Sequence, residues 1–140
     1  MPTRQTFVVQ MRLGKGWLLT ALTVVLYLQA ATATLVGVAS VLGMTGFAHT
    51  VVDGRRIGVG FWAFAVMLVA VVIPRIRSNN WLLIVPLAWT VLHLADSLFE
   101  LLVIADPAFL PPVIVEAAFL IAYVSLLRGL SQASPDPAAR

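Results

Sequence analysis

Apolar side chains along this chain fall into four long runs, and most of the charged residues lie outside them, in the connecting segments and at the two ends. The runs occupy about 17–42, 57–73, 81–104 and 111–127. Runs of this length and continuity predict membrane-spanning helices rather than buried helices of a soluble core. The expected fold is all-α: a polytopic membrane protein with four transmembrane helices in a compact bundle, forming a single domain over 1–130.

The first run has no charged side chain between Trp17 and Leu42. As a straight helix it would measure about 39 Å against a hydrocarbon thickness of roughly 30 Å, which predicts tilt or extension into an interface. Thr20, Thr23, Thr32 and Thr34 suit a span because their hydroxyls can return to helix carbonyls. Arg4, Arg12 and Lys15 followed by an apolar stretch and Ala31-Thr32-Ala33 also fit a signal peptide. The apolar run continues well past Ala33, which favours an uncleaved first span.

The second run is short for a span. Gly43, Gly46, Asp53 and Gly54 before it predict a loop or a partly re-entrant stretch, and Pro74 marks its far end. In the third, Pro86 sits near the start, where a missing N–H is easily accommodated. Pro111 and Pro112 suit the first turn of the fourth, and Arg128 suits an interfacial terminus. Residues 4–16 are compatible with a short interfacial helix, and 131–140 read as a flexible cytoplasmic tail.

Composition sharpens the membrane assignment. Of 140 residues, 61% are hydrophobic and 11% charged, whereas a soluble domain has about one quarter charged. The absence of cysteine removes disulfides, thiolate metal sites and cysteine nucleophiles. A net charge of +3 raises the question of an acidic partner, but the basic residues cluster beside apolar runs. That placement argues against nucleic acid and for retention of positive charge on the cytoplasmic side. Placing Arg4, Arg12, Lys15, Arg75, Arg77, Arg128 and Arg140 inside leaves only Arg55 and Arg56 outside. Both termini are therefore expected in the cytoplasm, in a multi-pass protein of the cell inner membrane.

Candidate chemistry lies in the third and fourth runs. His93, Asp96 and Glu100 fall within about a 60° sector of one helix face. Ionizable groups on a span require a protein interior, a water-filled cavity or an interface. Glu116 is expected near Glu100, both at roughly 6–9 Å below the external boundary, by the helical rise and a short connecting loop. Arg55 and Arg56 are candidate partners for these carboxylates.

Several roles compete for this group: proton or cation handling, a pocket for a cationic or polar-headed amphiphile, and acid/base chemistry on a lipid. Against all three stands a structural role, with the acids reaching an interface and Asp96 bonded to His93. The spacing is no metal motif, and no cofactor is implied. Ala30, Ala33, Gly37 and Ser40 form a small-residue stripe suited to close helix packing, within the protomer or against a partner. Trp17, Trp62 and Trp81 suit interfacial anchors, while Trp89 lies deeper.

The functional expectation is a small noncatalytic membrane protein. It would be an accessory subunit of a larger membrane-protein complex or homo-oligomer, or a binder of a lipid-like amphiphilic or cationic ligand, with membrane lipids as its surroundings. The alternatives are a proton- or cation-coupled transporter and a membrane-embedded enzyme acting on an amphiphile.

Overall fold

A computed structural model of the chain describes residues 4–45 and 51–132, with side chains placed for 15–45 and 52–132. Helix α1 runs unbroken over Arg4–Val41. Helix α2, Val51–Met67, passes into a π-helical segment, Leu68–Val72, and the short helix α3, Ile73–Arg75. A 3₁₀ turn, Asn80–Leu83, opens α4, Ile84–Leu102; a second, Pro107–Phe109, opens α5, Leu110–Gln132. Four stretches are long and apolar enough to cross a membrane: Lys15–Val41, Val52–Arg75, Asn80–Leu102 and Pro107–Gln132. The chain is thus an all-α, multi-pass helical bundle.

Local chemistry sets the boundaries. Gly43 adopts φ +70 just beyond α1, and the Met44 and Gly43 amides donate to the Ala39 and Ser40 carbonyls. This Schellman arrangement satisfies the last carbonyls of the helix, and glycine meets its left-handed position without steric cost. Asn79 accepts a hydrogen bond from the Trp81 amide, and Asp106 accepts from that of Ala108, so each later span starts on a side-chain cap. Asp53 and Gly54 lie inside α2 rather than in the expected loop. Helical hydrogen bonds let the backbone around Asp53 stay ordered at a membrane boundary, and Asp53 falls in the first turn, where a carboxylate is favoured. Residues 46–50 of that expected loop lie outside the described residues, as does the expected tail from 133 onward.

Helix α1 packs on α2 and α5, and α4 packs on α5. Phe61 and Phe64 meet Trp89, which joins α2 to α4 and closes the ring of helices. Near the end that holds Lys15 and Arg77 the core is filled by Leu22, Leu26, Leu68, Val72, Ile76 and Leu83. In the other half α1 turns small. Ala30, Ala33, Gly37 and Ser40 are all buried, and a Cβ on Gly58 would stand 2.7 Å from the Gly37 carbonyl oxygen. The stripe thus lies inside the protomer, at a backbone-to-backbone contact between α1 and α2. Interhelical van der Waals contact of this kind replaces the hydrophobic driving force that lipid removes.

Candidate functional site: a polar-floored aromatic cavity

The site begins with a polar layer in mid-bundle. Gln29 of α1 is 3% exposed and its amide nitrogen donates to the Thr90 hydroxyl of α4 at 2.7 Å. Its amide oxygen accepts a short hydrogen bond from the Tyr123 hydroxyl of α5. Both lone-pair and N–H sides of one glutamine are used, so Gln29 ties α4 and α5 to α1 inside the bundle. Thr90 also hydrogen-bonds the side chain of Glu116, which extends the chain of polar groups to a carboxylate.

Above this layer lies a cavity of about 220 Å³, walled by all four spans. Gln29 and Glu116 are on its lining, with Phe61, Phe64, Trp89, His93 and Phe119. The rings form one cluster. Trp89 stacks on Phe64 at 4.0 Å between centroids, meets Phe61 edge-on at 5.4 Å, and lies 4.3 Å from His93. Ala33 on α1 and Pro111 and Pro112 in the first turn of α5 line the same space.

Glu116 is the unbalanced group. Its Oε2 atom is buried and has no hydrogen-bond partner among the described residues. A buried carboxylate oxygen without a donor costs several kcal/mol unless a proton or a cation accompanies it, roughly.

A second, adjoining cavity of about 170 Å³ shares Phe61, His93, Ser97 and Pro112 with the first and adds Ile57, Asp96, Glu100 and Phe109. It lies toward the ends of α2 and α4 nearest the 103–109 connection. His93 therefore stands between an acidic vestibule and the aromatic cavity.

The expected acidic group is divided by this geometry. His93, Asp96 and Glu100 share the vestibule, but Glu116 lines the central cavity instead. Glu100 is two residues from the end of α4, about 3 Å by helical rise, whereas Glu116 is six residues into α5, about 9 Å. Counted from the helix ends, the two carboxylates are thus offset, because α4 ends and α5 begins earlier than the hydropathy runs suggest. Glu116 meets Thr90 rather than Glu100. Asp96 is largely exposed, and no hydrogen bond joins it to His93 among the described residues.

Arg55 and Arg56 are exposed, and among the described residues neither pairs with Asp96, Glu100 or Glu116. Among those residues no group of three His, Asp or Glu is gathered tightly enough to hold a metal ion. Sequence reasoning missed Gln29, Thr90 and Tyr123. A glutamine inside an otherwise apolar span was the available signal, since an amide there needs a partner on another helix. Compared with known proteins, the chain matches no family model, no curated protein and no solved structure.

Proposed function

We propose that this protein is a membrane-embedded binder of a lipid-like amphiphile with a cationic head group. The buried, unpartnered Oε2 of Glu116 inside an aromatic cavity carries this reading. A cation at that oxygen supplies the missing counter-charge, and the rings of Phe61 and Phe119 add cation–π attraction that strengthens as water is excluded. The apolar chain of the ligand is received by the rest of the wall. Asp96 and Glu100, in the adjoining vestibule, raise the local concentration of cations at the approach. With the Lys15 and Arg77 end cytoplasmic, the vestibule opens toward the outside of the inner membrane.

A second reading, a proton- or cation-coupled carrier, draws on the chain Glu116–Thr90–Gln29–Tyr123 beneath the cavity. Such a chain can exchange a proton when a cation arrives at Glu116. Catalysis has less behind it: Ser97 and His93 line the same cavity with no hydrogen bond between them among the described residues. The accessory-subunit reading loses its named surface, since the small-residue stripe is used inside the protomer.

The test is a fluorescence titration with a brominated dodecyltrimethylammonium probe in lipid nanodiscs. Saturable quenching that disappears in Trp89→Phe is the expected result. Quenching that rises without saturation, equally in both proteins, would remove the cavity from consideration.

A further inference from the structure

A second site stands at the opposite end of the bundle. A pocket of about 250 Å³ lies there between α1, the segment after α3, the start of α4 and the end of α5. Its rim holds Lys15, Arg77, Asn80 and Ser131, and its floor is Leu19, Leu83, Leu127 and Leu130. Cationic and hydrogen-bonding groups thus sit directly over an apolar base.

Charge and depth both bear on what fits it. Among the residues with described side chains this end carries Lys15, Arg75, Arg77 and Arg128 and no carboxylate. Arg75 is occupied: its guanidinium donates to the Ala70 and Val71 carbonyls. Lys15 and Arg77 have no hydrogen bond or ion pair among the described residues, so two positive charges face one pocket with no described carboxylate paired to them. Trp17 and Trp81, 68% and 81% exposed, lie within four residues of Lys15 and Arg77 along the chain. Exposed indoles anchor at the head-group level, so the pocket rim stands where lipid phosphates lie. A soluble anion would need only the rim, whereas the leucine floor suits the glycerol and first methylenes of a lipid.

We infer that this pocket is a binding site for the phosphate-bearing head group of an anionic phospholipid, with Lys15 and Arg77 holding the phosphate and Asn80 and Ser131 bonding the polar groups around it. Basic pockets between spans are suited to such head groups. The site is independent of the aromatic cavity and does not rest on its proposed ligand.

The test is lipid retention by the full chain, measured by native mass spectrometry after release from nanodiscs of mixed phosphatidylglycerol and phosphatidylcholine. The expected result is selective retention of phosphatidylglycerol, weakened roughly thirtyfold in Lys15→Gln/Arg77→Gln, the loss of two basic contacts at the surface. Arg128→Gln, which removes a charge from the same end outside the pocket, should bind as the unaltered protein does. The charge-preserving pair Lys15→Arg/Arg77→Lys should keep the preference, which separates a lost contact from a lost fold. Equal retention of phosphatidylcholine, full binding by the glutamine pair, or equal loss in Arg128→Gln would overturn the site. Displacement of the lipid by millimolar inorganic phosphate would overturn it too, in favour of a free-anion site.

Discussion

Gln29 shows how one side chain can organise a bundle. Its amide serves Thr90 and Tyr123 at once, so removing either partner strands half of it in the buried middle of the bundle. Tyr123→Phe is expected to lower stability by about 1 kcal/mol, near the upper part of the range for interhelical hydrogen bonds in membranes. Reversible unfolding in mixed detergent micelles measures it. Thr90→Val should cost a similar amount and also detach Glu116, so the two losses together should fall short of their sum through the shared network. The charged residues of the site were legible as residues that need company. Their company was not, because a 3.6-residue period places His93, Asp96 and Glu100 on one face but cannot tell which helix that face meets. Glu116 was visible for its charge, yet its partner is an uncharged threonine with no distinctive signal in the sequence.

At the scale of helices, α1 and α2 touch through glycine. A Cβ on Gly58 would come within 2.5 Å of Val41 Cγ2 and 2.7 Å of the Gly37 carbonyl oxygen, whereas one on Gly60 meets nothing within 4 Å. Backbone cannot step aside as a side-chain tip can. Gly58→Ala should therefore cost about 2 kcal/mol, as overpacking does, while Gly60→Ala should leave the unfolding midpoint unchanged or slightly raised. The second span also carries a local irregularity with a legible cause. Pro74 lacks an N–H, so the preceding turn loses a donor. The structure compensates with the π-helical Leu68–Val72 segment, in which the Ile73 amide reaches Leu68, and with the Arg75 guanidinium on the Ala70 carbonyl. Hydropathy located all four spans because hydrocarbon demands long apolar runs. It placed the start of the second at Ile57, however, since Asp53, Arg55 and Arg56 look like a loop although the helix already begins at Val51. Charges in an end turn are tolerated at an interface, so charge alone cannot mark where a helix starts.

Across the whole molecule the two ends differ in both packing and charge. Leucine, isoleucine and valine fill the basic half, while the other half holds the aromatic cavity with its acidic vestibule. Since the chain has no cysteine, single cysteines report sidedness without background. With the basic end cytoplasmic, Asn80→Cys should react with a membrane-impermeant maleimide only after the cytoplasmic face is exposed, and Ala108→Cys in intact spheroplasts. The reverse pattern would invert the topology and turn the vestibule toward the cytoplasm. The central claim is that Glu116 supplies the counter-charge for a cationic amphiphile, and calorimetric titration of the purified protein tests it most directly. Dodecyltrimethylammonium should bind with a loss of at least about tenfold in affinity, ~1.4 kcal/mol, in Glu116→Gln. A neutral dodecyl alcohol should bind both proteins weakly and alike. Equal affinity of the two proteins for the ammonium probe would contradict the account.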